Sequence, residues 1–237
     1  MTALSDVRVL DLSSHIAGPF CAKMFADFGA DVIKVESPAG GDVARQLGPF
    51  RHGQPDPEAS GTFLVLNTNK RGITLNIETP TGGDLLRQLV AQVDVVVENF
   101  PVGTLARLGC DFTRLETLRP GLLLTSITPF GQTGPWRDYQ GTDLVIHAAS
   151  GASAVNHLPG GMPLKEPGSQ TDYQGGACAF LGTMTALCYR DLHGVGQHID
   201  VSLQEAATTM IVPELVRMQY SGSAPGMRIG LLPCQDG

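Results

Sequence analysis

The chain of 237 residues is 42% hydrophobic and 16% charged, and its formal net charge is −7. This composition is typical of a protein with a buried core and excludes an intrinsically disordered chain. The negative charge, together with the lack of any basic run, argues against a protein that binds nucleic acid.

The first part of the chain predicts a strand, a helix and a second strand. The segment "VRVLDL" (7–12) predicts a buried strand, and "AGPFCAKMFADFGA" (17–30) predicts a helix with Pro19 in its first turn, where the missing N–H is no loss. The segment "DVIKVE" (31–36) predicts the next strand. Residues 37–60 are rich in Gly, Pro and Asp, and they predict a long loop.

The remaining elements continue this alternation. Two further short apolar segments are "TFLVLN" and "GITLNI", and a helix with "LLRQLV" on one face is predicted from Thr79. The other predicted strands are "VDVVVENF", "GLLLTSI" and "HIDVSL". The other predicted helices run from Asp172 through "AFLGTMTALCYRD" and from Gln204 through "EAATTMIVPELVRMQYSG".

Strands that alternate with helices and are apolar along most of their length predict an α/β fold. The expected architecture is a Rossmann-like parallel sheet with helices on both faces. Ligands of such sheets bind at the carboxyl ends of the strands. The loops that directly follow strands are therefore the candidate binding loops, and they are "SSHIAGP", "ESPAGGD", "ENFPVGTLARLG" and "SITPFGQTGPW".

Three common kinds of site have no support in the sequence. Glu36 ends the second strand, where the ribose-binding acid of a dinucleotide site would lie, but the first strand–helix turn has no G-x-G-x-x-G and contains Pro19. The six histidines show no metal-ligand spacing with one another or with cysteine. A serine hydrolase would need a G-x-S-x-G elbow, and none is present.

Cysteine usage and the chain's start favour a cytoplasmic protein. The five cysteines form no C-x-x-C pair and have mostly apolar neighbours, which predicts free thiols in a reducing compartment. Met1 leads within a few residues into the first strand, so no signal peptide is expected. No apolar stretch approaches the roughly 20 residues of a membrane span, so no membrane partner is expected.

The segment "GSQTDYQGG" places a carboxylate, Asp172, between a polar loop and two glycines. One interpretation is structural: "TDYQ" fits a capping box, with Thr171 as N-cap and Gln174 reaching back from the third helical position. Asp172 would then be favoured by the helix dipole. However, Gly175 and Gly176 each cost a helix about 1 kcal/mol against alanine. They therefore indicate that another group approaches the backbone closely here.

Six segments together resemble one family, the class III CoA-transferases, also called the CaiB/BaiF type. They occur in the family's order and spacing over essentially the whole chain. These segments are "VRVLDLSSHIAGPFCAKMFADFGADVIKVESPAGGDVAR", "NTNKRGITLNIETPTG", "VDVVVENFPVGTLARLG", "SITPFGQTGPW", "TDYQGG" and "GVGQHIDVSLQEA".

The resemblance implies that Asp172 is a nucleophile. In this family an aspartate before a glycine-containing helix attacks the thioester carbonyl of an acyl-CoA, and Asp172 matches it. An aspartyl anhydride and then an aspartyl-CoA thioester follow, and an acceptor carboxylic acid reverses the sequence. Backbone N–H groups near Gly175 and Gly176 are the expected oxyanion donors. CoA and acyl-CoA act as substrates, and neither a metal nor a prosthetic group is required.

The resemblance also implies which residues contact CoA. They lie after the first strand, in "LNIE", after "VDVVVE" and in "LARLG": Ile16, Ala17, Leu75 to Glu78, Asn99, Phe100, Pro101, Arg107 and Leu108. Arg107 would pair with a CoA phosphate, although a solvated helix arginine is the alternative. Some relatives carry a lysine at Glu78 and an arginine at Ser37, so this chain offers CoA less positive charge.

Two other cations, Lys70 and Arg71, are either CoA contacts or members of structural ion pairs. The family also contains α-methylacyl-CoA racemases, which have a histidine in "GHD" where this chain has "GTD". Thr142 cannot act as a base near neutral pH, so transfer is favoured over racemisation. His147 is expected to be a core or supporting histidine.

Relatives of this family are longer than this chain. The resemblance implies a large Rossmann-like domain (1–200), followed by a long helix and linker (201–237) that lead toward a small second domain. The segment "LLPCQDG" resembles the entry to that domain. A full-length protein would be an interlocked homodimer that acts on acyl-CoA and small carboxylic acids. The alternative is a fragment or CoA-binding module without turnover.

Overall fold

Six strands form one parallel sheet in the computed structural model, which describes residues 2–156 and 161–222. The strands are β1 (Arg8–Asp11), β2 (Asp31–Glu36), β3 (Arg71–Thr74), β4 (Val95–Glu98), β5 (Leu123–Thr128) and β6 (Gln197–Ser202). Their order across the sheet is β3-β2-β1-β4-β5-β6, and every neighbouring pair is parallel. The predicted α/β class with a parallel sheet is confirmed.

Helices fill the connections between these strands. They are α1 (Ala17–Asp27), α2 (Gly61–Leu66), α3 (Pro80–Val90), α4 (Thr104–Arg107), α5 (Phe112–Leu118), α6 (Asp143–Ala149), α7 (Ala152–Val155), α8 (Gln170–His193), α9 (Leu203–Thr208) and α10 (Val212–Ser221). Single 3₁₀ turns are at Val43–Gln46, Arg51–Gly53 and Thr209–Ile211.

The central strands β1, β4 and β5 are buried on both faces of the sheet, and their successive residues point to opposite sides. Val9 and Val95 pack on the face covered by α1 and α8, where the rings of Phe25 and Phe180 meet edge to face with centroids 4.7 Å apart. Leu10 and Val96 pack on the opposite face with side chains of α3 and α5. The apolar strands predicted from the sequence thus have helices on both sides.

Local chemistry accounts for several helix starts. Thr79 caps α3 as predicted, since its hydroxyl accepts the N–H of Gly82 at 3.1 Å. Ser60 caps α2 by accepting the N–H of Phe63 at 3.1 Å, so the segment "TFLVLN" is helical. The single helix predicted from Gln204 is divided instead. Pro213 lies in the first turn of α10, which begins at Val212, and has no N–H to donate to the preceding turn.

The strand order reverses direction between β1 and β4, which is where open α/β sheets place their ligands. The loops that leave these two strands are joined by the side chain of Asn99. Its Oδ1 accepts the N–H of Ser14 at 2.9 Å, and its Nδ2 donates to the Ser14 carbonyl at 2.7 Å. This pair of bonds fixes the β1–α1 loop at the edge of the sheet.

The predicted boundary after residue 200 stays a prediction. Helices α9 and α10 follow it, and residues 223–237, with the segment "LLPCQDG", lie outside the described residues. Within the described residues, no helix is both long and apolar enough to cross a membrane.

Candidate active site

A cleft of about 440 Å³ opens at the carboxyl ends of β1 to β4. The loops after these strands contribute its walls, and Ser13 and Ser14 form the side nearest α1. Among the predicted CoA contacts, the cleft is lined by Leu75, Asn76, Ile77, Glu78, Phe100, Pro101, Arg107 and Leu108. The fold therefore brings together residues from two distant parts of the sequence that the resemblance assigned to one ligand.

Asn99 borders a neighbouring cavity of about 360 Å³, which shares Phe100 and Pro101 with the cleft. Ile16 and Ala17 line neither cavity. Ile16 is the residue before α1 and Ala17 is its first residue, and both are almost fully buried. They are nevertheless close to the cleft, because they end the loop that contains Ser13 and Ser14, and these two serines line the cleft.

Arg107 is the only arginine or lysine that lines the cleft within the described residues. Its Nη2 lies 3.3 Å from Glu78 Oε1, and both side chains are well exposed. Glu78 therefore faces the arginine expected to bind phosphate. An exposed pair of this kind contributes about 0–1 kcal/mol, so an anionic ligand can displace it.

Lys70 and Arg71 do not reach the cleft and act as structural ion-pair members. Lys70 is buried, and its Nζ lies 2.8 Å from both Asp11 Oδ2 and the Pro19 carbonyl. Arg71 pairs with Asp31 on the surface, at 2.6 Å. Of the two interpretations given for these cations, the structure supports the structural one.

Helix α8 presents its first turn toward the end of the β1–α1 loop. The capping box predicted for Thr171 is wrong, because the helix begins two residues earlier than predicted, at Gln170, with Ser169 as its N-cap. The Thr171 hydroxyl and N–H instead both donate to Asp143 Oδ1, from α6. Lys165 Nζ holds the other oxygen of Asp143. Asp143 thus anchors the residue that precedes Asp172.

Asp172 is the third residue of α8, and its side chain is 9% exposed. Its Oδ2 has no hydrogen-bond partner within the described residues. The nearest ion-pair partner is His15, whose Nδ1 lies 3.9 Å from this oxygen. Such an unpaired carboxylate is costly to bury, and it is the arrangement that an attacking oxygen needs.

Burial raises the pKa of Asp172 to about 6, while the nearby His15 opposes that rise and Asp143 adds to it. The carboxylate is therefore the main form only above about pH 6. The helix dipole was expected to keep this group ionised, but burial outweighs it. A desolvated carboxylate of raised pKa is a stronger nucleophile than one in water.

Gly175 and Gly176 let two neighbours approach α8. A β-carbon at Gly175 would lie 2.1 Å from Leu203 Cδ2, and one at Gly176 would lie 2.5 Å from the Ala17 carbonyl oxygen. The close approach predicted from these glycines is confirmed. The expectation that backbone N–H groups near these glycines act as oxyanion donors stays a prediction. The N–H groups of Gly175 and Gly176 themselves lie beyond the first four of the helix, which are the ones that lack partners inside it.

His147 lies inside the protein rather than in a cavity. It is 1% exposed, its Nδ1 is 2.7 Å from Ser153 Oγ, and its Nε2 contacts Glu166. Thr142 is the N-cap residue of α6, and its side chain makes no capping bond. This environment agrees with the prediction that His147 is a core or supporting residue.

Three residues near Asp172 were not singled out from the sequence: His15, Asp143 and Lys165. Only His15 carried a usable signal, since it lies in the β1–α1 loop, next to a predicted CoA contact. Asp143 and Lys165 meet the start of α8 through chain folding that no local pattern encodes. Within the described residues no group of three or more His, Cys, Asp or Glu side chains could hold a metal ion.

Known proteins resemble this chain in sequence and in fold. A family model described as CoA-transferase family III matches residues 4–234. The chain is 40% identical over 208 residues to the succinyl-CoA–L-malate CoA-transferase beta subunit of Chloroflexus aurantiacus. It is 38% identical over 229 residues to the succinate–glutarate CoA-transferase of Agrobacterium fabrum.

These alignments cover 86% and 96% of this chain but 49% and 57% of the two relatives. The chain thus spans about half the length of the curated relatives it matches. Among solved structures, a CaiB/BaiF family protein from Brucella suis superposes with a TM-score of 0.90 at 34% identity. That match covers 98% of this chain and 61% of the other.

Proposed function

The chain belongs to CoA-transferase family III, and on that premise we propose that it carries the nucleophile and CoA-binding cleft of an enzyme that moves CoA between carboxylic acids. One observation carries the proposal. Asp172 is a nearly buried carboxylate, one oxygen of which has no hydrogen-bond partner among the residues that the structure describes, and the loop beside it leads directly into a cleft at the switch point of the sheet.

The proposed reaction begins with the Asp172 carboxylate attacking the thioester carbonyl of a donor acyl-CoA. The C–S bond breaks, which gives an aspartyl anhydride and CoA thiolate. The thiolate then attacks the aspartyl carbonyl, which releases the donor acid and leaves an aspartyl-CoA thioester. An acceptor carboxylate attacks that thioester, and returning thiolate attacks the acceptor's carbonyl. The products are the new acyl-CoA and free Asp172.

The geometry supports this sequence in two ways. Asp172 is ionised above about pH 6 and poorly solvated, so it can attack at neutral pH. The cleft lined by the predicted CoA contacts lies beside the same loop, with Arg107 at its edge to pair with a phosphate. Oxyanion donors for the tetrahedral intermediates are not assigned among the described residues.

The remaining parts of the proposal rest on the family. We infer a cytoplasmic homodimer whose substrates are acyl-CoA and small carboxylic acids, with no prosthetic group. Succinyl-CoA or succinate appears in the names of several relatives, so succinyl-CoA is the first donor to test. Glutarate and L-malate, which appear in two of those names, are the first acceptors.

The test uses the protein at the full length that its gene encodes. Succinyl-CoA and labelled glutarate or malate are supplied, and formation of the labelled acyl-CoA is followed. Asp172→Asn should abolish transfer while CoA binding stays within about tenfold of wild type. Asp191→Asn, the same change on the exposed far end of α8, is the matched control and should be fully active. Transfer at the wild-type rate in Asp172→Asn would contradict the proposal.

The same preparation distinguishes the two alternatives. A racemase would introduce solvent deuterium at the α-carbon of a 2-methylacyl-CoA in deuterated water without any acceptor acid. A CoA-binding module would bind CoA but neither exchange deuterium nor form a new thioester. Either result, in place of transfer, would replace the proposed function.

A further inference from the structure

His15 adopts a backbone conformation that is uncommon for residues other than glycine. Its φ is 72°, in the left-handed region where residues other than glycine are strained. Such a conformation persists only when its surroundings fix it. The backbone N–H of His15 donates to Asp42 Oδ1 at 2.9 Å, and the same oxygen accepts from Ser14 Oγ at 3.1 Å.

The residues that hold His15 are themselves fixed. Lys34 Nζ lies 2.7 Å from Asp42 Oδ2, and both side chains are almost fully buried. On the other side, Asn99 binds both the N–H and the carbonyl of Ser14. The loops after β2 and β4, together with a buried ion pair, therefore determine the direction in which the imidazole leaves the backbone.

The imidazole points toward the proposed nucleophile. Nδ1 of His15 is 3.9 Å from Asp172 Oδ2, the oxygen without a hydrogen-bond partner in the described part of the chain. The side chain of His15 is 43% exposed, whereas that of Asp172 is 9% exposed. His15 can thus exchange protons with solvent while Asp172 is shielded from it.

In the described part of the chain, the other charged groups that face Asp172 do not provide a free cation. Asp143, from α6, repels a second carboxylate. Lys165, from the segment before α8, attracts one, but its Nζ is held by Asp143 Oδ2 and by the Glu166 carbonyl. Imidazole is the side chain that gains charge near neutral pH. His15 is therefore the group best placed to balance the charge of Asp172.

We propose that protonated His15 is the counter-ion of Asp172. The imidazolium holds the carboxylate ionised before reaction. This half of the inference does not depend on the reaction catalysed. The other half rests on the proposed function: when Asp172 is acylated, the negative charge passes to the departing CoA thiolate. The imidazolium then faces that thiolate and stabilises its negative charge.

The test is a carbon-13 NMR titration of the Asp172 carboxyl group. His15→Asn removes the cation but keeps a side chain that tolerates the left-handed region. His15→Lys restores a cation. His52→Asn is the matched control, because His52 also has a positive φ, 57°, and lies in an exposed turn.

In wild type the midpoint is expected near pH 6. In His15→Asn it should rise by about half a pH unit or more, because a favourable charge is lost. In His15→Lys it should be at or below the wild-type midpoint, and in His52→Asn it should not move. An unchanged midpoint in His15→Asn, or a rise in His15→Lys equal to that in His15→Asn, would overturn the inference.

The titration requires no substrate, so its outcome is separate from that of the transfer assay. If the midpoint moves and no transfer is found, the counter-ion role stands and the proposed function fails. If transfer is found, the acid limb of kcat/KM should move to higher pH in His15→Asn by the same amount as the NMR midpoint. An acid limb that stays in place would overturn the catalytic half of the inference.

Discussion

Two buried carboxylates, Asp11 and Asp172, lie near opposite ends of the β1–α1 loop in contrasting electrostatic states. Asp11 ends β1 and is completely buried. Although burial raises its pKa, Lys34 and Lys70 together bring that pKa below its usual value. Burial also raises the pKa of Asp172, to about 6, and there the neighbouring basic side chains His15 and Lys165 offset only part of the effect.

The two carboxylates differ in the number of hydrogen-bond and ion-pair partners that each one has. Asp11 accepts hydrogen bonds from Ser13 and Lys70, and Lys34 lies 3.8 Å away. Asp172 has an oxygen with no hydrogen-bond partner among the described residues, and its nearest basic group, the His15 imidazole, is 3.9 Å away. We call the Asp11 site saturated, because both of its oxygens have partners, and this carboxylate fixes the loop. We call the Asp172 site unsaturated, because it retains lone pairs that can attack an incoming carbonyl carbon.

The largest expected effect comes from breaking the saturated site. Lys70→Met should lower the free energy of unfolding by about 3–5 kcal/mol, because it leaves the buried Asp11 with one cation fewer. Urea unfolding followed by circular dichroism measures this change. The matched control is Arg71→Met, which removes an exposed pair and should cost about 0–1 kcal/mol. Equal losses in the two variants would show that burial does not separate these ion pairs.

The unsaturated site should respond in the opposite direction. The pKa of Asp172 is about 6 in the folded protein and lies near the ordinary aspartate value of 3.8 in the unfolded chain. Folding stability therefore falls as pH rises between these values, and the cost persists at higher pH. Asp172→Asn removes that cost, so it should stabilise the protein at pH 8 by on the order of 2 kcal/mol.

This gain should disappear near pH 4, where the carboxyl is protonated in the folded state. Thermal unfolding at both pH values measures it, with Asp191→Asn as the exposed control that should change stability by less than about 0.5 kcal/mol. A destabilised Asp172→Asn at pH 8 would mean that Asp172 is a structural acid like Asp11.

The Arg107–Glu78 pair is exposed, so water screens its charges, in contrast to those of the two buried carboxylates. Arg107→Ala should raise the Kd for CoA about tenfold if the arginine binds a phosphate. Arg114→Ala, at another exposed arginine paired with an aspartate, should leave the Kd unchanged. Calorimetry with CoA and dephospho-CoA identifies the phosphate. If the Kd values for CoA and for dephospho-CoA rise by the same factor, Arg107 does not bind the 3′-phosphate.

The smallest effect is expected at Glu78. Glu78→Gln frees Arg107 from its partner and removes a negative charge from the cleft, so CoA should bind about two- to threefold more tightly. The gain should shrink at high salt, where exposed charges are screened. Weaker CoA binding in this variant would instead indicate that Glu78 itself contacts the ligand.

Much of the fold could be predicted because it depends on local patterns. β2 was predicted to the residue, and Thr79 was predicted as the start of α3 from its position before an amphipathic segment. The helix carrying Asp172 was also expected, but its first residue was misplaced. Asp143 holds the Thr171 hydroxyl that would otherwise have capped the helix, and that contact joins residues 28 apart in sequence.

The site residues that lie in segments resembling the family could be predicted from the sequence. The contacts between charged or polar residues far apart in the sequence could not. Asp11 and Lys70 are 59 residues apart, and Asn99 and Ser14 are 85 apart. Neither pair is implied by periodicity or spacing. The left-handed backbone of His15 depends on Asp42, whose position is set by the loop after β2. Such features require the folded arrangement.

The central claim is that Asp172 is the attacking carboxylate, and covalent trapping tests it most directly. The protein is incubated with succinyl-CoA, treated with borohydride, digested and analysed by mass spectrometry. The account predicts reduction of one side chain, Asp172, which depends on succinyl-CoA and is absent in Asp172→Asn. Reduction of a different carboxylate, or CoA transfer without any trapped aspartyl species, would contradict it.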